Sequence, residues 1–304
     1  MSRPISRVAL VGLGEVGRTL AEDLRGFELS TWDIAFDQPG STASRNAAEL
    51  GITAAASAAE AVGGLSRKGG EGCKGGAGLV ISAVTAANCV DAAVAVAAGI
   101  RGGAWYFDLN SSSPGHKTEA ARVIDGAGGR YVEAALMSPI GLRRSASPFL
   151  LGGPHAADFA AVAGAWGLSG VSVASDTVGR AAATKLCRSV LTKGLEALFT
   201  ESLLAARSYG VEREVLASLS DLLPPADWEA IAGYFVSRSL QHGRRRAEEM
   251  TEAAATVAEA GVEPLMSTAT AARQAWAARF PDAADPNATF AMIDAVRAAM
   301  EEHE

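Results

Sequence analysis

The chain has 304 residues, 49% of them hydrophobic, which is enough to fill two ordinary cores and too apolar for a disordered protein. Its 27 basic residues stand against 34 acidic ones, a formal net charge of -7, so its overall field repels nucleic acid and anionic membrane surfaces and points to a small-molecule partner. The cysteines, Cys73, Cys89 and Cys187, lie far apart with no C-x-x-C pair and no matching histidine spacing, which predicts no metal site and suits a reducing cytoplasm.

The first residues, 1–7, lack the apolar core and small-residue cleavage pattern of a secretory signal. Val8 to Val11 is a short apolar run ending in glycines, and Thr19, Leu20, Ala21 and Leu24 follow at helical spacing, so the segment reads strand, tight turn, helix. Phe27 to Trp32 forms a second short run ending at Asp33, and the alanine-rich stretch from Ser41 to Val62 is helical in pattern. The stretch from Gly63 to Gly78 is crowded with glycine, carries basic residues and Cys73, and reads as a flexible surface insertion with a substrate lid as a lesser alternative.

Leu79 to Val84 is again a strand-type run, before a helical Ala92 to Ala98 and a strand at Trp105 to Asp108. The weakly polar stretch from Cys89 to Ile100 contains Asp91 and falls short of the ~20 residues a membrane helix needs, so a soluble protein without a membrane partner is expected. Further strands are expected at Tyr131 to Glu133 and Phe149 to Leu151. Strands alternating with helices imply parallel βαβ units, and from Gly179 the pattern changes to long helices. The expected architecture is an α/β Rossmann-type N-terminal domain over residues 1–177, followed by an all-α domain over 178–304.

Gly12-Leu13-Gly14-Glu15-Val16-Gly17 matches G-x-G-x-x-G between a strand and a helix. In that setting Gly12 permits the turn, Gly14 lets a pyrophosphate approach the backbone, Gly17 lets helix and strand pack closely, and the helix amides meet phosphate. Asp33 lies ~20 residues on, at the end of the second strand, where a carboxylate accepts from ribose hydroxyls and repels a 2′-phosphate. The cofactor expected is NAD, with NADP possible because a basic residue such as Arg45 could reverse the preference. An ordinary βα turn that binds nothing is the plainer alternative.

Together with Gly179-Arg-Ala-Ala-Ala-Thr-Lys185, the glycine turn makes the chain resemble the β-hydroxyacid dehydrogenase family, which includes 6-phosphogluconate and 3-hydroxyisobutyrate dehydrogenases. The resemblance spans nearly the whole chain. It implies a catalytic lysine at Lys185, a cofactor-side loop at Val84-Thr85-Ala86, and a hydroxyl-rich turn at Asp108-Leu-Asn110-Ser-Ser-Ser-Pro114. It also implies a homodimer made by the C-terminal helices.

The sequence departs from the family pattern twice. Ser189 stands where the family has asparagine, still at i, i+4 from Lys185 but with shorter reach. Glu133-Ala-Ala-Leu-Met137-Ser138-Pro139 replaces a substrate loop that ends in two glycines, so the backbone cannot cradle a carboxylate in the family's way. These departures mark a divergent branch with a different helical domain.

The chemistry expected is hydride transfer between a hydroxyacid CH–OH group, on a 3-hydroxyacid or sugar acid, and nicotinamide, with Lys185 as general acid/base and Ser189 orienting substrate or lysine. Lys193 is expected to be structural. Met137 and Ser138 are expected to line the pocket. His242, Arg245, Arg246 and Glu249 share a helix face, where the guanidinium groups could grip a substrate carboxylate or form a plain solvated charge run. Arg143 and Arg144 invite the same thought more weakly. Imine reduction, for which the related enzymes usually replace the lysine, and a non-catalytic dinucleotide sensor are the rival readings.

Overall fold

The computed structural model describes residues 7–64, 76–222 and 227–301, and the expected insertion falls largely on residues outside these. The chain divides into two compact units, Met1–Lys185 and Leu186–Glu304.

In the first unit the order is β1 (Arg7–Val11), α1 (Glu15–Asp23), β2 (Glu28–Trp32), α2 (Thr42–Leu50), β3 (Thr53–Ala54), α3 (Ala58–Gly63), β4 (Leu79–Ser82), α4 (Cys89–Ala97), β5 (Trp105–Asp108) and α5 (Pro114–Gly126). It continues through β6 (Arg130–Leu136), α6 (Ile140–Arg143), β7 (Phe149–Gly152), α7 (Ala156–Ala163), β8 (Val171–Ser175) and the start of α8 (Arg180–Tyr209). The strands form one sheet in the order β3-β2-β1-β4-β5-β6-β7-β8, parallel throughout except for the antiparallel β6–β7 pair. This is the expected Rossmann-type α/β domain.

Every residue of β1, β4 and β5 is buried, as central parallel strands covered on both faces must be. The period of two is visible within β1: Val8 and Leu10 join the core on one face, Ala9 and Val11 the core on the other. On the first face Phe107, Phe149, Phe159 and Trp166 pack ring against ring. Helix starts follow local chemistry. Ser41, Ser57 and Ser113 each accept a hydrogen bond from the amide three residues on, and Pro114 occupies the first turn of α5. β8 was not expected from the sequence; it is a short, largely exposed edge strand whose Val-Ser-Val alternation covers only three residues.

The second unit continues α8 and adds α9 (Glu212–Leu222), α10 (Trp228–Glu259), α11 (Leu265–Ala277) and α12 (Thr289–Glu301), with no strand among its described residues. Leu203, Val236, Leu240, Met292, Ile293 and Val296 form its main core. The apolar side chains of α8 fall into two sets. Leu186 and Val190 pack on Met250 and Ala253, and Phe199 stacks with Phe235 and Trp228, whereas Leu191, Leu195 and Leu198 remain 70%, 44% and 55% exposed. No helix among the described residues is long and apolar enough to cross a membrane.

Candidate active site

The parallel strands place the loops after β1, β4 and β5 along one edge of the sheet, the edge where open α/β sheets hold ligands. After β1, Gly12 has φ +92°, and a Cβ there would run into the Ala83 carbonyl; one at Gly17 would run into the Gly12 carbonyl oxygen. Gly12 is therefore required by its positive φ and the close approach of the segment after β4, and Gly17 by the close approach of α1 to the turn. At Gly14, by contrast, the space is open, and this residue begins α1 with no side-chain cap on the helix amides. That leaves a helix N-terminus suited to a pyrophosphate. Leu13 is buried in the core, Val16 packs against it, and Glu15 is exposed.

Asp33 closes the loop from the side. Its Oδ2 accepts from Leu13 N at 2.8 Å and its Oδ1 from Ala35 N at 2.9 Å, so the carboxylate ties the end of β2 to the glycine turn. Beside it lies an open cleft of about 280 Å³ lined by Gly14, Trp32, Asp33, Val84, Thr85 and residues of α4 including Asp91. Two carboxylates and no lysine or arginine face it among the described residues. Arg45 turns to the Gly40 carbonyl and, at 3.1 Å, to Thr42 Oγ1.

A buried polar network supports the loops after β4 and β5. Asn110 accepts from Val84 N at 2.7 Å and donates to Ser82 Oγ at 3.0 Å, while its own amide donates to Asp108 Oδ1 at 2.9 Å. Asp108, fully buried, also accepts from Tyr131 OH at 2.7 Å and from the Cys89 thiol at 3.4 Å, and it lies 2.8 Å from Lys117 Nζ. Burial, reinforced by the Asp108 charge, pushes the Cys89 thiol up to about 12, so it is a hydrogen-bond donor here and not a nucleophile. Asn110, expected beside the cofactor, thus fixes the backbone of Val84, another residue expected there.

Lys185 Nζ donates to Ser111 Oγ at 2.6 Å, joining the start of α8 to the loop after β5. Nothing in the spacing of the sequence predicted that partner. Met137 N donates to the Pro148 carbonyl at 2.9 Å, and Ser138 Oγ makes a long contact of 3.5 Å with the Pro139 carbonyl. Arg144 is held by Glu22 and Asp23 of α1, both at 2.8 Å. Glu133, read from the sequence as the end of a strand and the first residue of the altered substrate loop, is buried and accepts from two amides at the start of α8.

In the helical unit, Ser189 Oγ accepts from Lys193 Nζ at 2.9 Å, and Lys193 also pairs with Glu249 at 3.0 Å. Arg246, buried, pairs with Glu196 at 2.9 Å, and Arg245 with Glu249 at 2.6 Å; the His242 ring lies 2.7 Å from Arg238. The shared helix face expected for His242, Arg245, Arg246 and Glu249 is thus part of an ionic cluster between α8 and α10, which Gln274 of α11 joins at 3.3 Å from Glu196. Burial raises Glu196 to about 7, against the pull of Arg246 and Lys193, and burial lowers Lys193 and Arg246.

The family model for the NAD binding domain of 6-phosphogluconate dehydrogenase matches residues 7–162, and one for a domain of unknown function, DUF1932, matches residues 206–277. Among solved structures, a conserved hypothetical protein from Sinorhizobium meliloti 1021 is 31% identical, covering 96% of this chain and 97% of its own, with a TM-score of 0.74. The conserved protein MTH1747, of unknown function and described as structurally similar to 3-hydroxyacid dehydrogenases, is 30% identical over 89% of this chain and 96% of its own, at 0.66. The 3-hydroxyisobutyrate dehydrogenase of Mycobacterium tuberculosis shares the fold at 19% identity, with 96% and 99% coverage and a TM-score of 0.68. No curated protein sequence matches the chain. With a strand–glycine turn–helix that leaves Gly14 open, and a family match over more than half its length, the chain belongs to the family that carries the NAD binding domain of 6-phosphogluconate dehydrogenase.

Proposed function

We propose that the protein is an NAD-dependent dehydrogenase that oxidises the CH–OH group of a small hydroxyacid, a 3-hydroxyacid or sugar acid, or reduces the corresponding carbonyl. The observation that carries this reading is the 2.6 Å bond from Lys185 to Ser111, in the loop that follows β5 at the same sheet edge as the glycine turn. Gly14 and the first amides of α1 would hold the pyrophosphate, Asp33 the adenosine ribose, and Val84 and Thr85 the cleft wall. When bound, the nicotinamide supplies the hydride acceptor or donor.

The protein's own part is proton transfer and positioning. In its neutral form Lys185 takes the hydroxyl proton, directly or through Ser111 at 2.6 Å, whose oxygen then accepts the substrate proton as its own passes to the amine nitrogen. In the reverse direction the ammonium stabilises and protonates the forming alkoxide. Ser189, at the family's asparagine position on α8, is assigned to orienting the substrate. Among the described residues two acids and no lysine or arginine line the cleft, and Arg45 turns to Gly40 and Thr42, which supports NAD over NADP. We further propose that a second copy of the chain covers the exposed Leu191, Leu195 and Leu198 face of α8, which buries apolar surface that α8 does not cover within its own unit.

The test is NADH formation over a panel of 3-hydroxyacids and sugar acids, with NAD or NADP, in wild type and Lys185→Ala. Turnover with NAD should fall by about 100-fold or more in the variant while NAD binding is kept. A variant as active as wild type removes Lys185 from its role. Turnover of cyclic imines alone would assign imine reduction, and NAD binding without turnover would leave a dinucleotide sensor.

A further inference from the structure

Glu133 sits in the middle of β6 with no solvent exposure, in register with Asp108 of β5. A buried carboxylate is costly unless its oxygens are satisfied. Both are: Oε2 accepts from Gly179 N at 2.7 Å and Oε1 from Ala182 N at 2.6 Å. These amides flank the first turn of α8, where the positive end of the helix dipole also favours a negative charge. Burial raises the Glu133 pKa, while Lys117 and the two amides pull the other way. The seat is shaped for this side chain, since a Cβ at Gly152, on the neighbouring strand β7, would collide with Glu133 Oε2.

An ordinary N-cap comes from the residue just before the helix and fixes the helix only to its own chain. This one comes from β6 and fixes the helix to the sheet. Lys185 lies one turn beyond Ala182 on that helix, and its ammonium reaches the loop that follows β5, the strand next to β6. The Glu133 carboxylate therefore ties the start of α8 to the strand next to the one that carries the Ser111 loop, beside the packing of Gly179 against Pro114.

We propose that Glu133 is a positioning residue for Lys185: by capping α8 from the sheet it holds the lysine amine on Ser111. Its catalytic consequence rests on the dehydrogenase reading above, but the placement of the amine can be measured without turnover.

The experiment is pulse labelling of lysine amines in the full chain with trinitrobenzenesulfonate, read residue by residue by mass spectrometry, in wild type, Glu133→Gln and Gly152→Ala. Gln keeps the length but turns an NH2 toward one of the two backbone donors; Gly152→Ala leaves Glu133 in place and pushes its carboxylate from the seat. Both variants should label Lys185 about tenfold faster than wild type, the scale expected for losing a charge-assisted hydrogen bond, with the other lysines unchanged. Should Glu133→Gln fail to fold, Gly152→Ala decides alone. Lys185 labelling at the wild-type rate in the folded variants, or a uniform rise across all lysines, overturns the proposal. In turnover, kcat should fall in Glu133→Gln with the KM for NAD unchanged. If Lys185→Ala is fully active while the labelling result holds, the dehydrogenase reading fails and the positioning role stands.

Discussion

Lys117 and Asp108 form an ion pair of 2.8 Å with both side chains sealed from solvent, directly beneath the loop that carries Asn110 and Ser111. Burial alone would lower the lysine pKa, but the Asp108 carboxylate and its neighbours outweigh that and the net direction is upward. Removing one partner leaves an uncompensated buried charge. Lys117→Met should therefore lower the unfolding free energy by about 3–5 kcal/mol, measured by urea denaturation, whereas breaking an exposed pair such as Arg122–Glu119 should change it by less than about 1 kcal/mol. Equal effects would mean that the buried pair has no special role in holding the loop.

The glycines of the turn separate stability from binding. Gly14→Ala meets nothing within 4 Å, so thermal stability should stay close to wild type while NAD affinity falls by about tenfold or more, because the new methyl group occupies the approach to the helix amides. Gly17→Ala should instead lower the melting temperature, since its Cβ runs into the Gly12 carbonyl. Calorimetric titration with NAD and thermal melts of both variants check the pair. Unchanged NAD binding in Gly14→Ala would place the pyrophosphate elsewhere.

The turn was legible in the sequence because its logic is local: strand, three glycines and helix follow one another, and the acid closing it ends the next strand. The alternating βα pattern was legible for the same reason. What escaped was every contact joining distant segments. Asp108 was read as the opening of a hydroxyl-rich turn and Glu133 as that of the altered substrate loop, yet their carboxylates point into the sheet network and to the start of α8. No spacing rule pairs Lys185 with Ser111. For His242, Arg245 and Arg246 the helical period was right, but periodicity cannot say whether a charged face meets water or another helix. Here it meets Glu196 and Lys193 of α8 through ion pairs made by Arg246 and Glu249.

Asp33 couples cofactor choice to loop geometry, because the carboxylate that would face the ribose also accepts from Leu13 N and Ala35 N. Asp33→Ala should weaken NAD binding by about tenfold or more through both losses, and should raise the ratio of NADP to NAD affinity by relieving repulsion of the 2′-phosphate. Fluorescence titration with the two reduced cofactors measures both. A fall in NAD affinity with no change in the ratio would leave Asp33 as a loop fastener and move discrimination to another residue.

The ionic cluster of the helical unit predicts a pH dependence of opposite sign to that of a salt-bridged surface acid. Glu196 is raised from 4.5 to about 7, first by burial, despite Arg246, Lys193 and Arg238 around it. The folded protein therefore holds the proton over an interval in which the unfolded chain has released it. By linkage, this group's contribution to stability is greatest below about pH 4.5, falls as pH rises toward about 7, and is level above that. Glu196→Gln keeps an acceptor for Arg246 and removes the titration, so its melting temperature should fall less than that of wild type across this interval. Parallel curves for the two proteins would assign the slope to another group and show that Glu196 is ionised throughout, held by Arg246 at 2.9 Å.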